Sequence, residues 1–217
     1  MVTHQSPASR AQFAALALTL LTSAALLPQR ANAFTYSLDD GSVTGSVSIG
    51  GGTEGYLLNA FQVVPGQTIV TAAEFAFGVH DGASFDIVLF RDGNNDGDPT
   101  DATLVSQDTV AKPASGPTGV FTSYAFSTPG TFTAGDWFFV GAFEPALTSL
   151  AISYDTAGGL SSWVSFPGAA FPGGTLETAP FFSFPNDFMI RATAIPEPTT
   201  ALLALLTLPL ALRRRRK

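Results

Sequence analysis

The sequence predicts an all-β fold, an antiparallel β-sandwich of jelly-roll-like type, flanked by an N-terminal signal-peptide helix and a C-terminal short transmembrane helix. Three observations lead there. Period-2 apolar segments recur along the middle of the chain, separated by Gly, Pro, Asn and Asp clusters, which is the pattern of an antiparallel sandwich or barrel. No stretch of amphipathic-helix length interrupts them. The composition agrees, since 21 glycines, 15 prolines and 19 phenylalanines in 217 residues favour strands and turns.

The predicted strands are Thr35 to Leu38, Tyr56 to Val63, Thr71 to Val79, Phe85 to Arg91, Thr103 to Val110, Gly119 to Phe126, Trp137 to Phe143, Ala151 to Tyr154, Ser162 to Phe166 and Phe188 to Thr193. In Phe85 to Arg91, Phe85, Ile87 and Leu89 share one face, and Asp86, Val88 and Phe90 share the other. Both faces of Trp137 to Phe143 are apolar, which predicts a central strand covered by the second sheet. Gly50 to Gly52 and the Pro167 to Pro180 region read as loops.

Charge is distributed unevenly. Five of the ten basic residues close the chain (Arg213, Arg214, Arg215, Arg216 and Lys217), whereas the interval from Phe34 to Ile195 carries three bases against sixteen acids. Such a surface repels a phosphate backbone, so nucleic acid is excluded as a partner. With no cysteine in the chain, disulfides, thiolate metal sites and cysteine nucleophiles are excluded together.

The two ends divide the chain into three parts. Residues 1–33 carry Arg10, an apolar run from Phe13 to Leu27 and the small-residue site Ala31-Asn32-Ala33, the three parts of a removable export signal. Residues 34–194 form the β-sandwich. Residues 195–217 begin Ile195-Pro196-Glu197-Pro198, continue as an apolar run from Ala201 to Leu212 and end in the basic cluster. The two prolines keep the backbone extended and open to an enzyme's cleft, and the arginines hold the helix end on the cytoplasmic side. At 1.5 Å per residue the run reaches only ~20 Å against a ~30 Å hydrocarbon core, and Pro209 interrupts it. That suits a transient signal better than a permanent anchor.

In the order Pro196-Glu197-Pro198, short apolar helix, Arg213 to Arg216, the last 22 residues or so resemble the PEP-CTERM sorting signal of Gram-negative bacteria. The resemblance implies recognition and cutting by an exosortase at the inner membrane. Pro196, Glu197 and Pro198 would then be the processing motif, and Arg213, Arg214, Arg215 and Arg216 the retention signal. It also implies delivery to the cell surface or extracellular matrix, in bacteria that make exopolysaccharide. The succession Phe85 to Asp92, Gly135 to Gly141, Ser162-Trp163 and Phe188 to Ala192 is similar to sandwich domains carried by such surface proteins, and it bears on fold rather than ligand.

The densest local cluster is Asp92-Gly93-Asn94-Asn95-Asp96-Gly97-Asp98-Pro99-Thr100-Asp101. Oxygen ligands at alternate positions with glycines between suit a hard cation, so Asp92, Asn94, Asp96, Asp98 and Asp101 are candidate Ca²⁺ ligands. Thr103 stands where an EF-hand places its bidentate glutamate, which excludes a true EF-hand. The same residues also make an ordinary acidic turn.

Catalytic chemistry is poorly supplied. His80 is the one histidine of the body and sits in a turn-like Asp-Gly context, and no nucleophile elbow or phosphate-binding loop is present. A polysaccharide-modifying hydrolase would need two facing carboxylates. The body is therefore expected not to be an enzyme. Among the aromatics, Trp137 lies in an apolar strand and reads as core, while Trp163, flanked by serines, is the ligand candidate for sugar stacking. The expectation is a non-enzymatic exported surface or matrix protein associated with exopolysaccharide; the alternative is a calcium-dependent carbohydrate-binding or adhesion module.

Overall fold

The computed structural model describes residues 33–49, 54–145, 150–156, 161–165 and 181–197. Their strands are β1 (Phe34–Tyr36), β2 (Gly45–Val47), β3 (Gly55–Gln62), β4 (Ile69–Ala76), β5 (Ser84–Arg91), β6 (Thr103–Ala111) and β7 (Phe121–Thr131). After these come β8 (Trp137–Glu144), β9 (Ile152–Asp155), β10 (Ser162–Ser165), β11 (Phe181–Phe184), β12 (Asp187–Phe188) and β13 (Ile190–Ile195). The described part is all-β, with a single 3-10 turn at Pro99–Asp101, and no described helix is long and apolar enough to cross a membrane. The predicted signal-peptide and transmembrane helices lie outside the described residues, as do Pro198 and Arg213 to Arg216.

The strands pair antiparallel in three sheets, ordered β1-β13-β4-β7, β11-β10-β3-β8-β5-β6 and β12-β9-β2. The short third sheet continues the first, because Phe77 beyond β4 bridges to Ile152 on β9 and Met189 alone separates β12 from β13. Along the other edge, Ser127 N–H of β7 donates to Asp108 (3.0 Å) and Tyr124 O–H to the Ala111 carbonyl (2.9 Å), so side-chain bonds tie the four-stranded sheet to β6. Pro129 of β7, which has no N–H to give, falls where the register against β4 shifts.

Phenylalanine fills the space between the sheets. Phe85, Ile87 and Leu89 point inward beside Phe75, Phe77, Phe138 and Phe188, and Phe85 meets Phe75 edge-on at 5.5 Å. β8 is central, between β3 and β5. Its Phe138, Val140 and Ala142 face this core, whereas Phe139, with Trp137 and Phe143, joins a separate apolar cluster on the far side of the sheet. Tyr56, Leu58, Ala60, Val88 and Phe90 belong to that second cluster, so the two apolar faces of β8 serve two clusters rather than one. At Gly141 a side chain would lie 2.0 Å from the Leu57 carbonyl oxygen, and only glycine lets β3 and β8 pair this closely.

One buried polar group joins the layers. Asn59 of β3 donates from Nδ2 to the carbonyls of Phe188 (2.8 Å) and Ile190 (2.9 Å), straddling the irregularity at Met189. Its Oδ1 accepts from Ser162 Oγ (2.7 Å), so every polar atom of this fully buried amide is used.

Candidate functional site

The acidic loop begins where β5 ends. Asp92 is 6% exposed, and its carboxylate accepts the backbone N–H groups of Asn94 (3.1 Å), Asn95 (2.7 Å) and Gly97 (2.7 Å). Every second residue after it repeats the step: Asn94 Oδ1 accepts from Asp96 N–H (3.0 Å), Asp96 Oδ1 from Asp98 N–H (2.8 Å) and Asp98 Oδ1 from Thr100 N–H (2.8 Å). The loop thus turns on a cascade of Asx bonds, the local chemistry that makes Asp and Asn turn formers.

Its carboxylates are nevertheless close. Burial raises the Asp92 pKa above the usual range, its bonds to Gly97 and Asn95 oppose this, and the charges of Asp101 and Asp96 add to the rise. Asp101 folds back over Gly93, where a side chain would meet its carbonyl oxygen at 2.8 Å, and Asp101 Oδ1 is buried without a hydrogen-bond partner. Among the described residues no three carboxylate or imidazole side chains stand together as a metal-binding group.

The loop leans on Trp137. Asn95 holds a left-handed backbone (φ 65°) and accepts the Trp137 N–H at Oδ1 (2.6 Å), while Asp92 N–H donates to the Trp137 carbonyl (3.3 Å). Gly97 faces the indole, with room for a side-chain atom at 3.5 Å. Arg91, whose guanidinium lies 4.7 Å from the Phe132 ring centre, reaches Asp136 at 3.6 Å and ties the neighbouring turn to the same end.

Half-buried Trp137 is also a wall of a groove of about 430 Å³ between β1 and β3. Phe61 and Tyr36 lie at its base, and the exposed Thr35, Ser37 and Gln62 give it a polar rim. Tyr36 is pinned by donating to the Gln67 carbonyl (2.7 Å) and accepting Val64 N–H (3.1 Å). Its volume lies within the range of small-ligand pockets. Trp163 is not part of it: like Trp137 and Phe181 it is partly buried against the second apolar cluster, and its Nε1 is buried without a partner. The sequence pointed to the tryptophan among serines, and the groove is lined by the one in the apolar strand.

The described start of the tail is held by the body. Ile195 still pairs with Ile69 in β13, and the exposed Glu197 accepts a hydrogen bond from Thr68 Oγ1 at 2.7 Å. His80 packs edge-on against Phe77 at 6.2 Å.

No family model and no curated protein matches the chain. Among solved structures it is similar to the clostridial cysteine protease Cwp84 after propeptide cleavage. That match has a TM-score of 0.53 and 12% identity, and covers 76% of this chain and 41% of the other. A second, of the cysteine protease and lectin-like domains of Cwp84, a surface layer associated protein of Clostridium difficile, has a TM-score of 0.48 and 11% identity. It covers 76% of this chain and 36% of that one.

The expectation that the body is not an enzyme is corrected by the first match: its fold occurs within the chain of a protease, so the exclusion of catalysis does not stand. The chain has no cysteine, and the chemistry named for that neighbour therefore has no nucleophile here. At 12% identity the likeness extends to the fold alone.

Proposed function

We propose that the chain is an exported surface or matrix protein whose sandwich binds exopolysaccharide in the groove walled by Trp137, beside the acidic loop. The observation that carries this reading is the double role of Trp137, which is bonded to Asn95 of the loop and lines the groove. A flat aromatic face suits the apolar face of a sugar, and the hydroxyls and amide of Thr35, Ser37 and Gln62 suit its hydroxyls. Calcium held by Asp92, Asn94, Asp96, Asp98 and Asp101 would fix the Trp137 end of the groove. The buried, unpartnered Asp101 Oδ1 and the mutual charge of Asp92, Asp96 and Asp101 support a cation there.

A jelly-roll reading of the body is supported by strand order. β1-β13-β4-β7 facing β3-β8-β5-β6 has the connectivity of two Greek keys, with β10 and β11 added at the β3 edge. Delivery rests on the tail: an exosortase at the inner membrane would act at Pro196, Glu197 and Pro198, with Arg213, Arg214, Arg215 and Arg216 retaining the end until it is cut. The Thr68 bond to Glu197 would have to open first.

Two experiments test the two halves. Replacing Pro196, Glu197 and Pro198 by alanine in cells should leave an unprocessed chain at the membrane; unchanged mass and delivery would refute the sorting role. Trp137→Ala should abolish retention on an exopolysaccharide affinity column in calcium, and equal retention of variant and parent would refute the groove.

A further inference from the structure

On β9 and β12, Asp155 and Asp187 stand directly opposite one another in antiparallel register. Both are removed from solvent, at 0% and 1% exposure. Like charges in this position repel, and a buried carboxylate is costly unless hydrogen bonds or a counter-charge compensate it.

The other buried acids, Asp155 among them, have partners. Glu144 accepts from Ser48 Oγ (2.6 Å), Ile49 N–H (2.8 Å) and Leu150 N–H (3.0 Å), Asp92 accepts three backbone N–H groups, and Asp39 is held by Arg191. Asp187 has none of this: neither carboxylate oxygen has a hydrogen-bond partner. The guanidinium of Arg191 is committed to Asp39 and lies 3.8 Å from the Phe121 ring centre. The charges of Asp155 and Asp39 both act on Asp187, so it faces two further carboxylates.

A second orphan points to the same face. Ser153, 0% exposed, precedes Asp155 by two positions on β9, so the two side chains leave the strand on one side, and Ser153 Oγ also lacks a partner. Their neighbours Ile152 and Tyr154 point into the phenylalanine core instead. Asp155 is oriented by Asp40 N–H, which donates to its Oδ2 at 2.8 Å.

We propose that Asp155 and Asp187 are the carboxylate ligands of a buried divalent cation of the calcium type, bound where β9 meets β12. Oxygen-only donors select a hard ion over zinc or copper. Two carboxylates balance its charge, and the hydroxyl of Ser153, main-chain carbonyls and water are the donor types that fill a calcium shell beyond them. This site is separate from the acidic loop, so either can fail without the other.

Calcium uptake by the full chain, stripped with EDTA and titrated calorimetrically at pH 7.5, tests the proposal. Asp187→Asn should bind one ion fewer than the parent and lose the associated rise in Tm, yet melt above the parent in EDTA because its repulsion is gone. Asp96→Ala with Asp98→Ala should keep this ion. Equal calcium stoichiometry in the parent and Asp187→Asn, or a calcium-dependent Tm rise lost in the loop variant and kept in Asp187→Asn, would overturn it. A parent that binds no calcium would overturn it together with the loop reading.

Discussion

Arg191 and Asp39, 152 positions apart, form a two-point ion pair: Nε reaches Oδ2 at 3.0 Å and an Nη reaches Oδ1 at 2.5 Å. The Asp39 side chain is fully buried and that of Arg191 is 25% exposed. The pair fixes the segment after β1 against β13, which ends at the tail. Removing one partner leaves the other charge buried, so Arg191→Leu should cost about 3–5 kcal/mol in urea unfolding. Arg191→Lys, which cannot reproduce the two-point contact, should fall between the parent and Arg191→Leu.

The Asp187 carboxyl gives the chain a distinctive pH dependence in chelator. Burial, and then the charges of Asp155 and Asp39, push its pKa up to about 6. A folded pKa above the unfolded one means a contribution fully present below about pH 4 and lost as the pH rises through about 6, worth roughly 3 kcal/mol. Asp187→Asn should therefore gain stability relative to the parent across that window and hold the gain above it. A parent-minus-variant difference that stays constant from pH 4 to 7 would contradict this.

Gly141→Ala tests the packing of β3 on β8. The added methyl would lie 2.0 Å from the Leu57 carbonyl oxygen in the middle of the six-stranded sheet. Either the ladder separates or the strand shifts, and a loss of at least ~2 kcal/mol is expected by thermal or denaturant unfolding.

Asn95 separates backbone strain from hydrogen bonding at the loop. Asn95→Gly keeps the left-handed turn and loses the bond to Trp137 N–H, a cost of about 1 kcal/mol. Asn95→Ala loses the bond and adds strain of about 1–2 kcal/mol, so it should be the less stable of the two.

The strands were legible where alternation was long. Phe85 to Arg91 and Trp137 to Phe143 sort their faces as the period-2 pattern predicts, because each side of the sheet has its own apolar cluster. Gly45–Val47 and Phe181–Phe184 were missed: three and four residues carry no measurable alternation, and both become strands only by pairing, with β9 and with β10. The division of Phe188 to Thr193 into two strands follows from the Met189 irregularity, which Asn59 bridges from a distant strand.

The acidic loop was legible from composition, since Asp, Asn and Gly after a strand dictate a turn whatever else they bind. The groove was not. A tryptophan in a strand apolar on both faces reads as core, and Trp137 becomes a groove wall only because β1 ends beside β3. Nor could the opposition of Asp155 and Asp187 be read, since it depends on the register of β9 against β12.

The chain has two tryptophans, so Trp163→Phe leaves Trp137 as the sole indole reporter. Its fluorescence, followed while oligosaccharides released from bacterial exopolysaccharide are added with calcium, tests the central claim most directly. We predict a saturable change in Trp137 emission that is weakened by EDTA and by Asp96→Ala with Asp98→Ala. Emission that does not respond, or a response retained when Trp137 is replaced and Trp163 kept, would contradict the account.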